Sequence, residues 1–234
     1  AAAEMDENRM HELGSLGTAR YLTPEGLNRK ITAVTGYPWR DDPDDADYLL
    51  DLNWYKIFYG GIDSDSVIER ITDPNGIMWA IDARMGNEVA CATTARDFVR
   101  EPATRLLFPY VDPSYEPEDA NGFEVPAVAE AIRRNIQYLH ERLFGEFVEL
   151  DDPEVDRTYA LFLEVWRDGK IGLAAEGEDA YDVNLPNDCR ATEDWWTGMD
   201  YAPEKQITAD PNYTIRAWMA VMTYMLSDYR FLHE

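Results

Sequence analysis

Lysine and histidine are nearly missing from this chain: its 234 residues hold four lysines and three histidines, and its seventeen arginines form no basic run. A surface that tracks a nucleic-acid backbone needs clustered cations. With 46 acids against 21 bases and a formal charge of -25, this chain instead repels phosphates and anionic lipid over about one Debye length, roughly 8 Å at physiological salt. No nucleic-acid partner is expected. The acidity suits solubility in a crowded or salty medium, or attraction of a basic partner or of divalent cations.

Long apolar runs are also absent. The richest stretch, AWMAVMTYML at 217–226, lies between Arg216 and Asp228 and is too short for a bilayer, so it reads as a buried helix and no transmembrane span is expected. The N-terminus lacks the basic and apolar regions of a cleavable export signal. Its opening Ala-Ala-Ala-Glu is what processing after export would leave, and a tag remnant would look the same. The two cysteines, Cys91 and Cys189, form no CxxC or CxxCH, which excludes a zinc ribbon and covalently attached haem within this sequence. They either pair as a disulfide, closing a loop of nearly a hundred residues, or remain two buried thiols.

No HExxH, G-x-S-x-G or glycine-rich phosphate loop occurs. His11 and His140 fall on separate predicted helices and His233 lies just past a third; His140 borders an apolar stripe and reads as a satisfied core histidine. No catalytic residue is assigned.

What the chain does contain is core material, 45% hydrophobic and 12% aromatic residues, without a Gly/Ser-rich linker, so residues 1–234 read as one domain. A repeated dipeptide organises it: Thr23-Pro24, Asp42-Pro43, Asp73-Pro74, Asp112-Pro113, Asp152-Pro153 and Asp210-Pro211. An oxygen that caps free amides, followed by a proline whose missing N–H had no partner, is a helix-start signal. Helical spacing then predicts helices over 153–168 (Val155, Tyr159, Phe162, Trp166, with Gly169 as the stop), 126–144 (Val128, Ile132, Ile136, Leu139, Leu143) and 211–231, the last apolar around most of its circumference and expected to be central. Weaker patterns predict helices over 3–13, 24–35, 44–58 and 76–99. Strand patterns are missing. The expectation is an all-α, irregular bundle of about seven helices, with an aperiodic, aromatic-rich arm at 170–209 whose Trp195, Trp196 and Tyr201 either plug the core or face a partner.

The stretch FYGGIDSDSVIERITDPNG at 58–76 is dense in acids. An EF-hand needs oxygen ligands at positions 1, 3 and 5 and glycine at 6; counting from Asp63, those last two positions hold Val67 and Ile68. Capping explains the residues without an ion: Gly60-Gly61 end one helix, Asp63 or Ser64 starts a short one carrying Val67, Ile68 and Ile71, and Asp73-Pro74 opens the next. The remaining reading is a calcium-stabilised binding module using Asp63, Asp65 and Glu69. In RDDPDDAD at 40–47 the acids suit a helix's first turn. Glu88, at the edge of the 76–99 stripe, is the acid of most interest, with Arg84 its expected partner. A carboxylate-based hydrolase is the alternative that the abundant acids and the Trp195-Trp196 pair allow, although helical toroids with that chemistry need many more helices.

Three stretches carry a resemblance: YGGIDSDSVIERITDPNGIMWAIDARMGNEVAC at 59–91, RRNIQYLHERLFGE at 133–146 and YTIRAWMAVMTYMLSDYRFLHE at 213–234. They resemble segments of uncharacterised exported proteins of proteobacteria and planctomycetes, some of whose relatives carry c-type cytochrome domains. The resemblance includes no catalytic motif and transfers no functional residue. It implies a periplasmic or otherwise extracytoplasmic setting and an electron-transfer neighbourhood, in which a chain without CxxCH is a haem-free companion. The expected function is an exported, non-catalytic accessory subunit that docks onto a protein assembly containing cytochromes.

Overall fold

The computed structural model describes residues 20–71 and 73–234; the helix expected over 3–13, with His11, lies outside them. Six α-helices are present among these residues: α1 Pro24–Thr35, α2 Gly76–Phe98, α3 Pro126–Phe144, α4 Pro153–Ala174, α5 Thr214–Leu226 and α6 Tyr229–Leu232. Among the described residues the named strands pair only as the two-residue antiparallel hairpin of β1 Glu193–Asp194 and β2 Met199–Asp200. The fold is all-α. No helix among the described residues is long and apolar enough to cross a membrane.

Helix ends follow local chemistry. The Thr23 hydroxyl accepts from Gly26 N at 3.1 Å, and the Asp152 carboxylate accepts from Glu154 N at 2.8 Å, each followed by proline in the first turn. The other dipeptides differ from expectation. Asn75, rather than Asp73, caps α2 by accepting from Ile77 and Met78 N. Asp210 lies four residues ahead of α5, yet its carboxylate still accepts from the amides of Ile215 and Arg216. Asp42 and Asp112 close turns on Asp44 and Ser114 instead of starting helices.

The segment expected as a helix over 44–58 is a succession of turns. Asp51 spends its carboxylate on the backbone and side-chain amides of Asn53, a local bond that competes with helical pairing. Its aromatic residues wrap Trp39 instead, Tyr55 stacking at 5.2 Å and Tyr48 meeting it edge-on at 5.4 Å. The short helix expected around Val67, Ile68 and Ile71 is likewise bends and loop. The 211–231 segment breaks after Leu226, where Asp228 starts α6 by accepting from Arg230 N at 2.8 Å.

The core is shared by all the longer helices. α5 packs on α2 and on α4, and α3 packs on α4. Trp218 of α5 is 1% exposed, its ring 5.2 Å from Phe108 and 4.8 Å from Phe162. The predicted stripe residues Ile132, Ile136 and Leu139 of α3 and Val155, Tyr159, Phe162 and Trp166 of α4 are all buried, so α5 is central as its composition predicts.

Gly169 does not stop α4. The helix runs through Gly169 and Gly172 to Ala174 because these glycines face aromatic rings: a Cβ on Gly169 would lie 1.9 Å from the Tyr213 ring, and one on Gly172 would lie 2.3 Å from the Tyr181 ring. Ring atoms cannot yield that far without moving backbone. Gly169→Ala is expected to cost about 1–3 kcal/mol by overpacking, whereas Gly76→Ala, where a Cβ meets nothing within 4 Å, should be neutral or stabilising by up to about 1 kcal/mol. Urea denaturation of the two variants checks the contrast.

Candidate functional site

Since α4 extends to Ala174, the aperiodic arm covers 175–213. It is ordered by its own pairing and by its attachment to α2. Ala191 and Ile207 exchange backbone hydrogen bonds at 2.9 and 3.0 Å, and Leu185 N donates to Thr208 O. Cys189 stands at disulfide distance from Cys91 of α2, with Cα atoms 4.5 Å apart. Leu185, Cys189, Ala191 and Trp195 are all buried, so the arm closes the core from outside.

The aromatic residues singled out in the arm meet a group of arginines. Trp195 lies edge-on to Tyr37 at 5.7 Å, and Trp196 lies nearly parallel to it at 6.4 Å. Arg96 sits over both Tyr37 and Trp195, Arg40 over Trp195, and Arg100 over Tyr37 while donating to its hydroxyl at 3.1 Å. Burial lowers the Arg96 pKa, and nearby phenols and carboxylates oppose that shift. Burial also raises the Tyr201 hydroxyl, with Tyr37 and Asp194 acting in the same direction. The three candidates divide: Trp195 is a buried anchor, Tyr201 is half-buried, and Trp196, 51% exposed, faces solvent.

Asp63 is occupied by its own loop. Its carboxylate accepts from the amides of Asp65, Ser66 and Val67 at 2.8–2.9 Å and from the Ser66 hydroxyl at 2.7 Å, and these bonds hold its carboxyl well below the usual range. Asp65 and Glu69 are exposed. Among the described residues no three His, Cys, Asp or Glu side chains are grouped so that they could hold a metal ion. Glu88 accepts from Trp39 Nε1 at 2.9 Å and pairs with Arg84 at 2.6 Å, the expected arginine partner. His140, expected to be satisfied, is buried with no hydrogen bond to either ring nitrogen among the described residues; Glu146 stands 3.8 Å from Nδ1, and burial and Arg230 lower the His140 pKa against the pull of Glu146 and Glu154. His233 stacks on Tyr229 at 3.9 Å.

Sequence reasoning passed over Asp82. It lies in the buried stripe of α2, four residues after Met78 and three before Met85, and is 3% exposed. Tyr21 and Tyr59 donate to its two carboxylate oxygens, the latter at 2.8 Å, and no cation pairs with it among the described residues. Burial pushes its carboxyl up to about 7. The signal was available as an acid at helical spacing within an apolar face.

Two further features lie on the surface. Eight of the nineteen exposed large hydrophobic residues fall between 50 and 79, among them Leu52, Trp54, Phe58, Ile68, Ile71 and Trp79. Over residues 41–79 ten acids stand against Lys56 and Arg70 alone. Separately, an open cleft of about 650 Å³ lies between the arm and the start of α5, with Tyr181, Asp182, Arg190, Tyr213 and Arg216 in its lining.

No protein-family profile, curated protein or solved structure matches this chain.

Proposed function

We propose that the chain is an extracytoplasmic, non-catalytic accessory subunit that docks onto a basic protein partner within an assembly containing cytochromes. The concentration of exposed apolar side chains in the acidic segment 41–79 carries this reading. Single exposed hydrophobics are ordinary, but eight within thirty consecutive residues of an acidic segment supply both the apolar and the charged side chains that a protein interface uses. The charge selects the partner: its docking face should place lysine and arginine around an apolar centre.

The cysteine pair at disulfide distance supports an oxidising compartment. The sequence resemblance to exported proteins with cytochrome-bearing relatives supports the electron-transfer setting. Glu88, tied to Trp39 and Arg84, offers little to a hydrolase, and Trp196 at the arm is a second contact point.

Size-exclusion chromatography and native mass measurement of the complex from its source give the test. The expected result is coelution with a cytochrome-containing partner, weakened by raised salt and reduced at least about tenfold in affinity by Phe58→Asp or Trp79→Asp. A chain that elutes alone at low salt, or association indifferent to both substitutions, would overturn the proposal.

A further inference from the structure

We infer that the cleft between the arm and α5 is a binding site for a small carboxylate carried on a ring. The site is independent of the docking segment at 41–79 and of the reading built on it.

A cation-lined cleft is unexpected in a chain of charge -25, yet two arginines and one aspartate are the charged residues lining this one. Neither arginine forms a close ion pair among the described residues, although Asp182 lies within electrostatic range of both and Asp210 within range of Arg216. Backbone carbonyls orient them instead: Arg190 Nε donates to Leu185 O at 2.7 Å, and Arg216 Nη2 donates to the carbonyls of Asp182 and Asn184 at 2.8 and 2.5 Å. Arg216 Nη1 is buried with no hydrogen-bond partner among the described residues. Asp182, the acid in the lining, turns its carboxylate onto the backbone and side-chain amides of Asn184, each at 2.9 Å. Arg190, fixed through Nε, keeps its terminal nitrogens for a planar oxyanion, while Arg216, with Nη2 held by carbonyls and Nη1 buried, contributes positive charge beside the Tyr213 ring.

The ring requirement comes from the tyrosines. Tyr181 and Tyr213 lie 5.9 Å apart, and each is seated on a helical glycine of α4, where a side chain would collide. Tyr213 adopts left-handed backbone, φ 59°, which costs about 1–2 kcal/mol in a non-glycine residue and sets its ring in the cleft under the Arg216 guanidinium, 5.0 Å from the ring centroid. Aromatic faces beside oriented cations provide a platform for a ring and a grip for its acid.

Calorimetric titration separates the possible sources: galacturonate and benzoate as acids on a sugar and an aromatic ring, galactose and benzyl alcohol as their neutral counterparts, and acetate as an acid without a ring. The expected result is saturable binding of at least one ring acid, at least about tenfold tighter than its neutral counterpart and than acetate, with a loss of about tenfold in Arg190→Gln and none in Arg157→Gln on the exposed face of α4. Equal binding of acid and neutral ligand, no saturable binding of either acid, or affinity unchanged in Arg190→Gln would overturn the assignment. Because Arg190 is half-exposed, that variant should fold, and its thermal melt confirms that it does.

Discussion

A Cys91→Ala, Cys189→Ala variant is expected to melt about 10 °C below the parent chain. The two cysteines are 98 residues apart in sequence, so a bond between them removes the closure entropy of a loop containing α3, α4 and part of the arm. For a loop near 100 residues that stabilisation is about 4–5 kcal/mol, and for a domain of this size each kcal/mol moves the melting temperature by roughly 2–4 °C. The arm should respond first. Without that bond its middle is held on the core by Leu185, Ala191 and Trp195, while Tyr181, Asp210 and Tyr213 still fix its two ends on α4 and α5, so limited proteolysis around 186–206 should accelerate before global unfolding. An intact mass without reductant should be two hydrogens lighter than the reduced mass. If the two masses coincide, or the variant melts with the parent, the cysteines are independent thiols and the inference of an oxidising compartment loses its support.

The pH dependence of stability should carry the imprint of Asp82. Its carboxyl, pushed up to about 7 in the fold by burial, has a value near 3.9 in an unfolded chain. Below pH 4 both states hold the proton and the stabilisation is complete. Between pH 4 and 7 the unfolded state has released it while the folded state retains it, so stability falls as pH rises, by on the order of 4 kcal/mol across the interval. Above 7 both are ionised and the loss is complete. The groups facing this carboxyl are Tyr21 from the segment ahead of α1 and Tyr59 from the turns, with His233 edge-on to Tyr21 at 4.8 Å. None supplies a fixed positive charge.

Surface acids such as Asp63 and Asp182, whose carboxyls are lowered by local hydrogen bonds, act oppositely and lose their contribution as pH falls. The difference between the parent and Asp82→Asn isolates the buried group. The variant, which can still accept from one tyrosine, should be the more stable of the two at pH 8 and lose that advantage by pH 5. Denaturant midpoints at four pH values suffice to test it; two parallel curves would show that Asp82 is not the titrating group.

Both predictions concern residues visible in the sequence whose roles depended on what came to face them. Cys189 was legible as a cysteine, but its proximity to Cys91 required an aperiodic arm to fold back on α2. Asp82 interrupted an apolar stripe, and its two tyrosine partners arrive from segments 61 and 23 residues away. Glu88 was placed with Arg84 because they are one helical turn apart; Trp39, its other partner, is 49 residues distant and was not foreseen.

The sequence by itself determined the class and most of the long elements. Apolar residues at 3.6-residue spacing made α1, α2, α3 and α4 predictable, because a helix must bury one face and that face is written in consecutive residues. The caps at Thr23 and Asp152 were readable for the same reason, each acting within a turn of its own position. Only the tertiary structure decided whether the residues over 44–58 would wind or turn, whether Gly169 ended α4 or made room for Tyr213, and which arginines would line the cleft. Those outcomes depend on atoms brought together across the chain, where packing and desolvation outweigh the few tenths of a kcal/mol by which neighbouring residues favour one local conformation over another.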